Sequence, residues 1–215
     1  RFNRISMNKK HRIKMLYCLL TAAVVVGRAS NQVSLETYFP SPLVEKQSTP
    51  IALIINKSLT DFVHTETVEK GGDFVIEVGS AQRALFERLA AGLFSNHTFV
   101  DSIGEPSISA LAIEPEIREL QFATPDQTRT DYYEVWMRYD FKLYDLERNL
   151  TSTWSIPAYG KANKNNHTGK RDGLEAAALS ACRDVMAVFS IRFSSEQLIA
   201  DWLNYDSSMT RGENE

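Results

Sequence analysis

Three glutamates in one stretch are the strongest candidates for acid–base chemistry in this sequence: Glu114, Glu116 and Glu119. Alternate residues of a β-strand share a face, so Glu114 and Glu116 would lie close enough for two carboxyl groups to act as acid and base in a hydrolase. The same spacing is equally typical of the solvent-facing side of a half-buried strand. A hydrolase that uses Glu114 and Glu116 is therefore kept as an alternative, and no residue is assigned as catalytic.

The remaining reactive side chains are isolated from one another in the sequence. His64, His97 and His167 show none of the spacings that metal ligands have, such as His-x-x-x-His. Cys182 lies in an alanine-rich helical pattern without a histidine and a carboxylate to activate it, and we expect a small buried residue there. We predict no metal site and no cofactor. The formal net charge of −3 gives no reason to expect binding to nucleic acid.

Aromatic residues at polar positions give a different kind of candidate site. Tyr132, Trp136 and Tyr144 fall on the polar side of an alternating pattern. Exposed aromatic residues on a strand can mark a surface that binds a partner or an apolar ligand. Alternatively, Tyr132 and Trp136 pack under the helices or under a proline-rich segment. Both interpretations are open at this point, and the three residues form the candidate partner surface.

The strand that carries these aromatic residues belongs to the clearest structural signal in the chain. The odd positions of this strand are apolar, and charged residues predominate at the even positions between them. Strict alternation places one face in a core and the other mostly in water. A polar turn over 145–149 leads to a second alternating run over 150–156, which predicts an antiparallel hairpin. The apolar positions of the first strand are Tyr133, Val135, Met137, Tyr139, Phe141 and Leu143.

The elements around the hairpin predict the fold class. The apolar run over 51–55 favours a buried central strand. The elements predicted after it are a strand over 74–78, a helix capped by Ser80, strands over 97–103 and 108–122, the hairpin, and helices over 174–193 and 195–203. A change of parity in the 108–122 strand predicts a β-bulge near Pro115. This order predicts an α+β two-layer sandwich, with an antiparallel sheet of four to five strands and two main helices on one face.

The N-terminal segment has the pattern of an export signal. Met7 is a plausible start, because four Lys or Arg residues follow it before an apolar run of 13 residues, Met15–Gly27. Such a run has the length of a signal-peptide core and is too short to span a membrane. A cleavage region is predicted at Gly27, Arg28 and Ala29. We therefore expect an exported protein, in the periplasm or on the periplasmic face of the outer membrane.

The chain accordingly divides into four parts. Residues 1–30 are the N-terminal extension and signal peptide, and residues 31–50, with three prolines, are predicted to form an extended tether. Residues 51–205 are predicted to form a single α+β domain, and residues 206–215 a disordered tail.

Several phrases of the sequence resemble a group of uncharacterised proteobacterial envelope lipoproteins: LETYFPSP, ELQFATP, DYYEVWMRYDFKLYD, AYGKA and ALSACRD. More remotely, the chain is similar to the ABC-transport auxiliary lipoproteins and to the lipoprotein partner of the lipopolysaccharide translocon. The resemblance covers roughly Val33 to Leu203 and implies a four- or five-stranded sheet with two helices. It carries over no catalytic residue. Arg28 stands where these families have the cysteine that is lipidated.

These observations together predict a non-enzymatic bacterial cell-envelope protein or lipoprotein. It would be an accessory or binding subunit of an envelope transport or assembly system, and its partner would be an envelope protein complex or a lipid. A lipid anchor would give membrane contact only if the chain has a cysteine start. Besides the periplasmic hydrolase, the open alternative is a secreted ligand-binding glycoprotein, which four Asn-x-Ser/Thr sequons would suit: Asn56, Asn96, Asn149 and Asn166.

Overall fold

Two β-sheets and five helices make up the described part of a computed structural model, which covers residues 30–35, 38–69, 71–105 and 111–212, with side chains up to residue 204. The strands are β1 (Asn31–Ser34), β2 (Ile51–Ile54), β3 (His64–Val68), β4 (Gly72–Glu77), β5 (His97–Val100), β6 (Leu111–Ala123), β7 (Tyr132–Tyr144) and β8 (Leu150–Asn163). The helices are α1 (Lys57–Thr60), α2 (Gln82–Leu93), α3 (Pro125–Thr128), α4 (Lys170–Arg192) and α5 (Gln197–Gly212). The predicted signal peptide and the cleavage region Gly27, Arg28 and Ala29 lie outside the described residues.

The larger sheet has five strands in the order β5-β2-β6-β7-β8. The strands β6, β7 and β8 are antiparallel neighbours, and the predicted α+β fold class is confirmed. The strand β2 is parallel to both β5 and β6, so the sheet is mixed where we expected it to be antiparallel throughout. Parallel neighbours need a long crossover connection, and β3, β4 and α2 supply it between β2 and β5.

The core lies between β7 and the two long helices. All six apolar positions predicted for the core face of β7 are buried. Phe141 is at the centre of this layer: its ring centroid lies 6.1 Å from that of Phe86 on α2 and 4.7 Å from that of Phe189 on α4. On the neighbouring strand, the Trp154 ring lies 5.9 Å from Phe141. Both main helices therefore pack on the face of the hairpin that alternation had placed in the core.

The predicted bulge in β6 is present, at a different residue. The pairing of β6 with β7 shifts between Ile117 and Glu119, which leaves Arg118 as the extra residue. Pro115 pairs regularly with Phe141. It lies beyond Ile113, the last residue of β6 that pairs with β2, so its missing N–H breaks no bond to that strand.

The prediction that residues 31–50 form an unpacked tether is wrong. The strand β1 pairs in parallel with β4 and completes a three-stranded sheet of order β1-β4-β3, which we had not predicted. Val33 and Phe39 are fully buried. Farther along, the Gln47 amide donates a hydrogen bond of 2.8 Å to the Leu93 carbonyl. The prolines suggested an exposed linker, but the apolar side chains of Val33, Leu35 and Phe39, which precede them, pack against the domain.

The helix boundaries differ in detail from the predicted ones. Ser80 does not cap a helix: it lies in a 3-10 turn before α2, and its hydroxyl donates to the Glu77 carbonyl at 3.0 Å. The last helix, α5, continues to Gly212, past the predicted end at Leu203. Among the described helices, none is long and apolar enough to cross a membrane.

Candidate functional site

The outer face of the larger sheet, opposite the core, carries a group of charged residues. It includes Glu114 and Glu116, which lie on β6. Glu114 and Glu116 lie on this face together, around the Lys142 ammonium. The Lys142 Nζ atom is 3.0 Å from Glu116 Oε2 and 3.8 Å from Glu114 Oε2. Arg118, the bulge residue, lies 2.9 Å from Glu116 and 3.5 Å from Asp140. The glutamates are therefore members of an ion-pair network.

Glu114 is held by neutral donors as well. The Asn56 amide donates to one carboxylate oxygen and the Tyr144 hydroxyl to the other, each at 2.6 Å. Burial, and then this hydrogen bond to Glu114, raise the pKa of Tyr144 well above its ordinary value. Tyr144 thus acts as a fixed hydrogen-bond donor within the network.

The protonation of Glu116 follows from its two cationic neighbours. Burial by itself raises the pKa of Glu116, but the hydrogen bonds from Lys142 and Arg118 outweigh burial and lower the pKa below its ordinary value. A general acid needs a raised pKa. Glu116 is instead a carboxylate that two cations hold in its charged form.

Three exposed aromatic side chains lie at the other end of the same face; we call Tyr132, Trp136 and Tyr159 the aromatic patch. Their exposed fractions are 36%, 40% and 38%, respectively. Trp136 and Tyr159 are directly paired across β7 and β8, with ring centroids 5.5 Å apart and planes inclined by 37°. The Lys161 ammonium lies 5.0 Å from the centroid of the Tyr132 ring. Tyr132 and Trp136 are thus at the surface, as one of the two interpretations expected.

The third aromatic residue of the predicted partner surface lies elsewhere. Tyr144 is at the opposite end of β7, half-buried beside a small apolar cluster. Tyr159, which completes the aromatic patch, was missing from the prediction. The alternation of β8 continues past Ile156, and following it would have placed Tyr159 on the outer face.

Polar groups surround the aromatic patch. The Tyr159 hydroxyl donates a hydrogen bond of 2.6 Å to Glu134, and this bond raises the pKa of Tyr159 to about 12. The Arg138 guanidinium lies 3.9 Å from Glu119. A shallow cavity of about 400 Å³ opens beside Trp136, and its walls are formed by Glu119, Gln121, Trp136, Met137, Arg138 and Pro157.

The strand under the aromatic patch is held tightly against α4. Gly160 allows the close approach: a Cβ atom there would lie 2.9 Å from the Ser180 carbonyl carbon, and closer still to backbone atoms of Ala177 and Ala181. The Tyr159 amide donates a hydrogen bond of 2.9 Å to the Asp184 carboxylate. The aromatic side chains are therefore carried by a rigid part of the fold, which reduces the entropy lost on binding.

The other candidate groups form no comparable site. Cys182 is buried beside Gln82 and Tyr139, and burial raises the pKa of its thiol to about 11. A thiol in that state is a poor nucleophile. Within the described ranges, no group of three or more His, Cys, Asp or Glu side chains could hold a metal ion.

Two of the four sequon asparagines are already engaged. The Asn56 side chain caps α1 by accepting from the Leu59 amide at 3.0 Å, besides donating to Glu114. The Asn149 amide group donates to Asp145 at 3.2 Å. A glycan on either nitrogen would have to disturb these bonds.

Comparison with known proteins gives only distant likenesses. No protein-family model matches the chain, and no curated protein is significantly similar to it. A structure from Helicobacter pylori, provisionally named a neuraminyllactose-binding hemagglutinin homologue, is 14% identical with a TM-score of 0.48, over 82% of this chain and 100% of that one. A provisionally named lipoprotein from Caulobacter crescentus is 15% identical with a TM-score of 0.34, over 56% and 85%. A hypothetical protein from Chlamydia trachomatis is 11% identical with a TM-score of 0.37, over 67% and 96%. At these values the likenesses carry no conclusion about function.

Proposed function

We propose that the chain is a non-enzymatic bacterial cell-envelope protein that acts as an accessory or binding subunit of an envelope transport or assembly system. The observation that carries this proposal is the aromatic patch on the outer face of the sheet. Trp136 lines an open cavity, and all three rings are mounted on β7 and β8, which pack against α4. The export signal, which rests on the sequence alone, supplies the compartment.

The composition of the patch favours a protein partner. Tyrosine, tryptophan and arginine are the residues that most often dominate binding energy at protein interfaces. The exposed fraction of a tryptophan such as Trp136 corresponds to roughly 100 Å² and to about 2.5 kcal/mol when a partner covers it. The ion pair of Arg138 with Glu119, together with the tyrosine held by Glu134, would form a polar rim around this centre.

A lipid partner fits the patch less well. Glu119 and Glu134 lie among the aromatic rings and would repel anionic headgroups, although Lys161 and Arg138 offset them in part. Contact with the membrane through a lipid anchor requires a cysteine start, and Arg28 occupies the place where the sequence pattern would have it.

The test compares partner binding by the wild type and by a Trp136→Ser, Tyr159→Ser double variant, each expressed in the native host and isolated after in-cell crosslinking. Tyr38→Ser is the matched control, because Tyr38 is an aromatic residue with 74% exposure that lies outside the patch. We expect one envelope protein to be crosslinked to the wild type and to the control at equal yield, and at least tenfold less to the double variant.

Two results would contradict the proposal. Equal crosslinking of the double variant and the wild type would remove the aromatic patch from the interaction. If the double variant lost the wild-type binding to vesicles of native envelope lipid while its protein crosslinks were unchanged, the aromatic patch would be a lipid-binding surface instead. Circular dichroism of the wild type and both variants verifies that each is folded.

The hydrolase and glycoprotein alternatives stay predictions. The ion pairs of Glu116 and the hydrogen bonds of Glu114 give no support to the first. If a Glu114→Gln, Glu116→Gln variant lost a hydrolytic activity measured on the wild type, the non-enzymatic assignment would be wrong. If glycosidase treatment lowered the mass of the native protein, this result would support the glycoprotein alternative.

A further inference from the structure

The strand β8 is the last strand of the larger sheet, and one of its edges faces away from β7. The direction of its backbone groups can be read from a single bond: the Tyr159 amide donates to Asp184, so it points outward from the sheet. Amide directions alternate along an antiparallel strand, and the pairing with β7 is regular from Ser152 to Asn163. The amides of Thr153 and Ser155 therefore point outward as well.

The second half of this edge is protected against pairing with another strand. Pro157 stands at an outward position and has no N–H to offer. The Tyr159 amide is already bonded to Asp184, and α4 lies directly against Gly160. Prolines, bonded amides and covering helices are the usual means by which proteins block sheet edges.

The first half of the edge has no such protection. Within the described part of the chain, neither the Thr153 amide nor the Ser155 amide has a hydrogen-bond acceptor. Both residues are exposed, and the stretch from Leu150 to Ile156 contains no charged residue. Thr153 and Ser155 together present two N–H and two C=O groups, which match the backbone of one short extended segment.

A groove runs beside this open stretch. Its volume is about 600 Å³, and it is lined by Thr151, Ser152, Leu198, Asp201 and Trp202. The wall is firmly placed, because the Trp202 indole donates a hydrogen bond of 3.1 Å to the Tyr144 carbonyl. Leu150, with 54% exposure, lies next to the lining residues in the strand.

We propose that the open edge of β8 between Leu150 and Ile156 binds an extended segment of a partner protein as an additional strand. The groove between the edge and α5 accepts one of its apolar side chains on the half-buried Leu198, beside Trp202, which is buried. Asp201 is the charged residue of the lining, and it selects a segment with a basic side chain next to the apolar one.

A narrow occupant fits this place better than a second copy of the chain does. The groove is closed on one side by α5, so a single extended segment can enter. The edge of another sheet would bring its own helix layer with it, since α4 and α5 both lie against β8 in each copy. This binding mode uses backbone groups and is independent of the aromatic patch.

The probe for the test is a capped hexapeptide of alternating valine and lysine residues. Its control is the same peptide with every backbone amide nitrogen methylated, so that it cannot donate to a neighbouring strand. We expect saturable binding of the first peptide, measured by fluorescence anisotropy, and at least tenfold weaker binding of the second. In the free protein the Thr153 and Ser155 amides should exchange rapidly with solvent, and the unmodified peptide should slow their exchange at least tenfold.

Variants of the protein separate this site from the aromatic patch. Thr153→Pro and Ser155→Pro each remove one outward N–H, at positions equivalent to the native Pro157, and should weaken peptide binding at least tenfold. Asp201→Lys should weaken it through charge repulsion. Trp136→Ser should leave it unchanged. Equal binding of the N-methylated peptide, or unchanged amide exchange at Thr153 and Ser155, would overturn the proposal. A dimer that both proline variants abolish would assign the edge to a second copy instead.

Discussion

The sheet and α4 approach each other closely at Gly160, and this contact supports a quantitative prediction. In a Gly160→Ala variant the added methyl group would meet the backbone of α4, with Ala177 O and Ala181 N both nearer than 2.5 Å. An ordinary contact needs about 3.5 Å, so α4 would have to move away from β8 by roughly 1.5 Å. Neither side can relieve the overlap by rotating a side chain, because the crowded atoms belong to two backbones.

The expected loss of stability follows from the buried packing of α4 that this movement disturbs. The α4 residues beside Gly160 are fully buried: Ala177, Ala178, Ala181 and Cys182. Overpacking of a filled core costs typically about 1–3 kcal/mol, and a clash between two backbones belongs at the upper end of that range. We expect a loss of about 3 kcal/mol in the free energy of unfolding. For a chain of this size, that loss lowers the melting temperature by about 6–12 °C.

Urea unfolding followed by circular dichroism measures this loss directly. Gly104→Ala is the matched control, because the nearest atom to a Cβ at Gly104, Ser102 Oγ, is 3.9 Å away. The control should change stability by less than about 0.5 kcal/mol. If Gly160→Ala cost no more than this control, the reasoning about the contact between β8 and α4 would be refuted.

Three further predictions concern buried and surface hydrogen bonds. Tyr139→Phe removes the hydroxyl that donates a hydrogen bond of 3.1 Å to the side-chain oxygen of the buried Gln82. We expect urea titrations to show a loss of about 1–3 kcal/mol in the free energy of unfolding. A change within error would show that Gln82 finds another partner. Glu116 has a lowered pKa in the folded chain, so its contribution to stability is present above about pH 4.5 and is lost as the pH falls through the lowered pKa. Glu116→Gln should therefore flatten the acid side of the stability profile, and an unchanged slope would contradict this assignment. Glu134→Ala should move the pKa of Tyr159 from about 12 toward its ordinary value in an ultraviolet titration, and a pKa that stays at about 12 would exclude the hydrogen bond as its cause.

The pair of glutamates shows where local pattern stops being informative. Alternation predicts that Glu114 and Glu116 share a face, and they do. Their chemical state depends on Arg118, two positions after Glu116, and on Lys142, which the register of β6 against β7 places opposite Glu114. Register depends on the whole sheet, so Lys142, which is distant in sequence from both glutamates, helps decide whether this pair resembles an acid–base pair or an ion-pair network.

The proline-rich segment shows the same limit in a different way. Three prolines over 31–50 indicate an extended chain, and the structure has a strand, β1, at its start. That Val33 enters a sheet beside β4 depends on an unpaired edge and an apolar surface elsewhere in the fold. The residues of 31–50 alone do not predict that this edge and this apolar surface exist.

The α+β class, the core face of β7 and the presence of the two main helices are predictable from the amino-acid sequence. These features follow from periods of two and of about 3.6 residues, which are properties of a few consecutive residues. Three other features depend on how the elements pack in space: Tyr159 lies beside Trp136, Tyr144 lies away from both, and one half of the β8 edge is open. Such features arise where separate elements meet, and contacts between residues distant in sequence leave no periodic trace in either segment.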